Sequence, residues 1–118
     1  MQYVLLIYQG TTPLPTDQEA WSTLADAEQK QIYKDYAALN ETPGLTPGLT
    51  LGLPKDATTV QVKNGKTVTR DGPYLKEGAG GYLVFEAEEL EAAIELASRI
   101  PAARLGGAIE IRPVATYW

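Results

Sequence analysis

Neither cysteine nor histidine occurs among the 118 residues of this chain. The first absence excludes disulfides, thiolate nucleophiles, zinc-thiolate sites and iron–sulfur ligation. The second removes the commonest general base at neutral pH and the commonest metal ligand, and with them every His-dependent triad or dyad. Acid–base chemistry, if the chain performs any, falls to carboxylates, Tyr, Lys or Arg. Gly78, Gly80 and Gly81 form a glycine-rich turn, but neither a Walker lysine nor a dinucleotide fingerprint surrounds them. The acidic run Glu86, Glu88, Glu89 and Glu91 reads as favourable charge at a helix N-terminus. Neither a cofactor nor a metal is therefore expected. Lys and Arg total 10 against 15 Asp and Glu, a net charge of −5, which opposes nucleic-acid binding because phosphates need clustered cations. No apolar run approaches the roughly 18 residues of a membrane span, and Met1-Gln2-Tyr3 leads into Val4 without a basic signal-peptide region. A soluble, unprocessed, cytoplasmic protein without a membrane partner is predicted.

What is present fits one globular domain over residues 1–118, with 44% hydrophobic and 21% charged residues. Tyr3 to Tyr8 is a short apolar, β-branched run ended by Gln9-Gly10, as expected of a central strand. Asp17 is a candidate N-cap for a short helix through Trp21. Asp26 with Gln29 three residues on gives a capping-box pattern, and Ile32, Tyr36 and Leu39 define an apolar helical stripe over about residues 27–40. Pro43 and Gly44 stop that helix. The repeated Gly-Leu-Thr unit in residues 44–54 predicts an irregular edge strand. Asn64-Gly65 between two β-prone runs predicts a hairpin with a type I′ turn, setting Lys63 opposite Lys66, Val62 opposite Thr67 and Val60 opposite Thr69, its base covering a core. Gly81 to Glu86 reads as a strand. Leu90, Ala93, Ile94, Ala97 and Ile100 mark a helix face ended by Pro101, and Ile109 and Ile111 alternate with Glu110 and Arg112 in a last strand.

The most economical assembly is an α+β, ferredoxin-like βαββαβ sandwich with an extra β-hairpin and both main helices on one face. The other sheet face is then apolar and bare, and a second copy is expected to cover it. An interface of ordinary size buries about 800 Å² per partner, enough for order 10 kcal/mol of gross stabilisation. The aromatic tail Tyr117-Trp118 fits the same homodimer, since terminal aromatics need packing.

Asp71-Gly72-Pro73-Tyr74, then Gly80-Gly81-Tyr82, Ile100-Pro101-Ala102-Ala103-Arg104 and Ile109 to Val114 follow in an order that resembles the YCII-related proteins, most closely their DGPF branch. The resemblance covers nearly the whole chain. It implies a dimeric α+β barrel of ferredoxin-like subunits, and a regulatory context, since some members are associated with extracytoplasmic-function sigma factors in bacterial genomes. Enzymes of the wider group are thought to use a His and Asp pair. This chain has no His, so that mechanism is not carried over.

Asp71 leads into Gly72-Pro73, and two readings stand: a structural Asx-type turn, or a general acid/base or ligand anchor at a pocket mouth with Tyr74 as wall and hydrogen-bond donor. Arg112, and less so Arg104, could grip a carboxylate bidentately or serve as a salt-bridge partner. Tyr3, Tyr8, Tyr74 and Tyr82 could line one cleft or fill core and interface. Two functions follow. The first is a dimeric binding or regulatory accessory module holding a small apolar or carboxylate ligand beside Asp71, Gly72, Pro73, Tyr74, Tyr8 and Arg112. The second is a cofactor-independent enzyme performing isomerisation, elimination or oxidation on an aromatic or lactone-like substrate, with Asp71 as acid/base.

Overall fold

The computed structural model describes residues 1–15, 17–76 and 78–115. Strand β1 (Gln2–Tyr8) is a continuous apolar run, yet it is fully covered on one face only: Tyr3, Leu5 and Ile7 are buried, while Val4, Leu6 and Tyr8 are only partly covered. It lies inside a four-stranded antiparallel sheet of order β2-β5-β1-β6, completed by β2 (Leu45–Thr50), β5 (Gly81–Glu86) and β6 (Ala108–Pro113). Leu5 stands between Leu83 of β5 and Ile111 of β6, and Leu45 pairs with Phe85 across the edge. Helices α2 (Asp26–Asn40), α3 (Leu90–Ser98) and α4 (Pro101–Arg104) send Leu39, Ala93, Leu96, Ala97 and Ala102 into one cluster with Tyr3, Leu5, Ile7, Leu83 and Phe85. This is an α+β architecture compatible with the ferredoxin-like plan.

Local chemistry explains most element ends. Asp17 caps the short helix α1 (Gln18–Ser22), its carboxylate accepting from the Ala20 N–H at 3.3 Å. The capping box expected at Asp26 does not form. Ala25 occupies the N-cap, Asp26 falls inside the first turn, and the Gln29 amide donates to the carbonyls of Trp21 and Leu24, tying the two helices together. The buried stripe is Ala93, Leu96 and Ala97 of α3 with Ile100 just beyond its end, while Leu90 and Ile94 face solvent at 46% and 51% exposure. The expected stripe and the observed one share Ala93, Ala97 and Ile100, and they differ in that Leu96 is buried while Leu90 and Ile94 are not. Helix α3 ends at Ser98, before Pro101, which opens α4 at a position where its missing N–H costs nothing.

The edge strand β2 pairs irregularly, with a register shift between Pro47 and Thr50, as the Gly-Leu-Thr repeat predicts. The hairpin of β3 (Thr58–Lys63) and β4 (Lys66–Asp71) has the expected pairs, Lys63 with Lys66, Val62 with Thr67 and Val60 with Thr69. Asn64 and Gly65 adopt φ of 51° and 75°, the two positive values of a type I′ turn. Its base, however, covers no core. The hairpin is a separate two-stranded sheet, with Val60 and Val62 60% and 69% exposed, because its register faces water on both sides. The radius of gyration is 16.2 Å, against about 13–14 Å for a compact domain of this length. The tail residues Tyr117 and Trp118 lie outside the described residues.

Candidate functional site

Beyond Tyr8 the chain must leave the sheet without blocking the edge of β6. Gly10, at φ +56°, makes that turn against Gly106; a Cβ there would approach the Gly106 carbonyl to 2.2 Å. The Thr11 N–H and the Thr12 hydroxyl then donate to the carbonyls of Gly106 and Leu105 at 3.3 and 3.2 Å, fixing the loop over the sheet end. At the opposite edge the bulge in β2 is pressed on β5, and a Cβ on Gly48 would lie 2.2 Å from the Tyr82 carbonyl oxygen. The Leu51 N–H still reaches the Gly80 carbonyl at 2.8 Å, so the segment stays tied to β5 before the 3-10 turn Pro54–Asp56.

Between these two fixed loops lies a cleft of about 1030 Å³, floored by Ile7, Leu83 and Tyr36. That is at the upper end of small-molecule sites, roughly 300–1,000 Å³. One wall is the run Leu49, Leu51 and Leu53 with Pro47 and Pro54; the other is Leu14 and Pro15. Leu49 and Leu51 are 69% and 46% exposed, so apolar surface is turned to the open space. The polar residues lining it are the partly buried Gln9, Thr12, Tyr36 and Tyr82 and the exposed Thr11, Asp17, Asn40, Thr50, Asp56 and Lys76. Burial raises the Tyr36 pKa, and the Gln9 side chain beside it acts in the opposite direction. The phenol is protonated at neutral pH and can donate to a carbonyl, carboxylate or hydroxyl oxygen. A second, apolar cavity of about 80 Å³ lies under residues 12–15 against Trp21 and Ile32. Trp21 is held there edge-on to Tyr33, at 5.7 Å between ring centres.

The model of the YCII-related domain matches residues 1–117, almost the whole chain. The chain belongs to the YCII-related family. No curated protein matches it.

In this YCII-related domain the residues expected to form the site fall into four places. Asp71, Gly72, Pro73 and Tyr74 sit together at the root of the hairpin, where the Gly72 N–H donates to the Ala57 carbonyl at 2.8 Å and the Thr59 hydroxyl to the Gly72 carbonyl at 2.8 Å. Gly72 has φ +98°, the left-handed conformation that lets the chain turn. Asp71 is exposed, and Arg70 reaches past it to the carbonyls of Pro73 and Tyr74 at 3.2 and 3.3 Å. Tyr74 is 66% exposed. Downstream of these four residues the chain reaches the rim of the cleft at Lys76 and Gly78, and Gly78 lies between Pro73 and the cleft-lining Pro54.

Tyr8 and Arg112 lie on the sheet face away from the helices, Tyr8 opposite Ala108 and Arg112 opposite Val4. Arg112 has Glu110 at 4.0 Å on the same strand. Arg104 is committed elsewhere, joining α4 to Glu28 and Asp35 of α2. Tyr3 is in the core with the helices, so the four tyrosines Tyr3, Tyr8, Tyr74 and Tyr82 do not share one cleft. Sequence reasoning placed Tyr36 among core residues and Gln9 as a strand terminator; their meeting at the cleft floor depends on α2 crossing the end of β1. A signal was nonetheless legible, since leucines separated by Gly, Thr and Pro cannot all pack as a regular strand.

Proposed function

We propose that this YCII-related protein is a dimeric small-molecule-binding module, and that its ligand is a mostly apolar molecule with a carboxylate or phenolic oxygen. The observation that carries this reading is the cleft: two leucine- and proline-rich walls over a floor that carries the Tyr36 phenol beside the Gln9 amide. An apolar body displaces water from the walls, and one oxygen accepts from Tyr36. The Asp71 to Tyr74 loop, linked to the cleft rim through Pro73, Gly78 and Pro54, is proposed to adjust the entrance. A regulatory role alongside a sigma factor agrees with binding without turnover.

The dimer reading rests on the sheet face away from the helices. Val4, Leu6, Tyr82 and Val84 are adjacent there by register, with Glu110 and Arg112 beside them. A second copy laid on this face gives the α+β barrel.

Thermal-shift measurement with a panel of hydrophobic carboxylates and phenolics tests the ligand. A ligand present at 100 times its Kd stabilises by about 2.7 kcal/mol, a rise of several degrees. Leu51→Asp and Tyr36→Phe should lose that rise, and Asp71→Ala should alter it only if the loop takes part. A panel that leaves the wild-type midpoint unmoved throughout sinks the binding reading.

A further inference from the structure

The wide cleft has almost no positive charge to offer a ligand. Among the described residues, the lining side chains charged at neutral pH are Asp17, Asp56 and Lys76, all exposed. Two carboxylates against one ammonium leave a balance of −1, on a chain of net charge −5. Lys55, next to the lining residues Pro54 and Asp56, is exposed and does not line the cleft. The arginines all stand elsewhere. Arg70 donates to the carbonyls of Pro73 and Tyr74, Arg99 pairs with Glu95, and Arg104 pairs with Glu28 and Asp35. Arg112 has Glu110 beside it on the sheet face away from the helices. Thr16, Glu77 and residues 116–118, outside the described residues, include no Lys or Arg.

An ionised carboxylate entering this cleft therefore leaves water without a buried cation to replace it. An unpaired charge is among the costliest groups to bury, and an exposed ammonium at the rim is screened by water and salt. The floor suits a neutral group instead. The Tyr36 phenol offers a donor and an acceptor oxygen, and the Gln9 amide beside it offers both kinds. Both residues also line the small apolar cavity under residues 12–15, so the pair stands where two largely apolar spaces meet. A phenolic hydroxyl donates and accepts there without carrying a charge out of water.

We infer that the cleft takes its ligand through a neutral, phenol-type oxygen and discriminates against carboxylates. The inference rests on the binding reading above and selects one of its two oxygen types. Isothermal titration at about pH 7.5 compares para-propylphenol, para-propylbenzamide and para-propylbenzoate; the phenol is neutral and the benzoate ionised there. The amide and the benzoate have nearly the same shape and differ by one charge. Asn40→Lys, at the exposed end of α2 where a cation suits the helix, and Asp56→Asn, on an exposed turn, each make the lining one charge more positive.

The phenol and the amide should each bind at least tenfold more tightly than the benzoate. Each variant should narrow the gap between amide and benzoate at least twofold, a gain of benzoate binding that a folding defect does not imitate. A gap below tenfold in the wild type overturns the selectivity and leaves the binding reading standing. A gap that neither variant narrows overturns it as well, because charge is then not its cause. If none of the three compounds binds at millimolar concentration the inference fails. The binding reading fails with it only when the whole panel of carboxylates and phenolics leaves the wild-type midpoint unmoved.

Discussion

The Tyr36 phenol of α2 and the Gln9 side chain, just past the end of β1, meet at the floor of the wide cleft, where burial outweighs the Gln9 contact and raises the phenol pKa. The folded state therefore holds this proton more tightly than the unfolded chain, whose tyrosines titrate near 10. The stability contributed by neutral Tyr36 is complete below that value and is lost as the pH rises through the higher folded pKa. Melting curves between about pH 8 and 11 should show a steeper alkaline loss for the wild type than for Tyr36→Phe. Parallel loss in the two proteins would show that Tyr36 is not the group responsible.

Core truncation should follow burial. Leu96 and Leu5 are both fully enclosed, Leu96 between α3 and the sheet and Leu5 at its centre, so Leu→Ala at either should cost about 2–5 kcal/mol in urea unfolding. Ile94→Ala, on the solvent side of the same helix, should stay within about 1 kcal/mol. A large loss at Ile94 would indicate that a partner buries it.

Gly48→Ala is expected to act on the cleft. The added methyl would sit 2.2 Å from the Tyr82 carbonyl oxygen, a backbone atom that cannot rotate away, so β2 must lift from β5. Amide exchange in residues 45–51 should quicken more than tenfold, and any ligand-induced rise in Tm should shrink. Unchanged exchange there would mean that the bulge tolerates a side chain.

Arg104 bridges Glu28 and Asp35 from a partly exposed position, its side chain 41% accessible. Arg104→Ala should cost about 1 kcal/mol, and the loss should shrink as salt is raised from 0.05 to 0.5 M. A salt-independent loss would assign the effect to packing of the aliphatic stem.

Much of this architecture is legible in the chain itself. Alternation in residues 109–112 determines which side chains face the helices, and Asn64-Gly65 determines the hairpin register, because both depend on neighbours in sequence and on backbone sterics. The family is equally a property of the sequence, carried by the order of its motifs. What the tertiary structure alone decided is which apolar groups are covered. Val60 and Val62 have the pattern of core residues but face water, since among the described residues β3 pairs with β4 alone; in α3 the buried leucine is Leu96, with Leu90 and Ile94 left on the solvent side. Tyr36, Gln9 and Leu51 come from three separate segments and meet only when α2 and the irregular β2 edge are laid across the end of β1. Local pattern fixes direction along an element. The distance between elements, and hence the cleft, arises only when they pack.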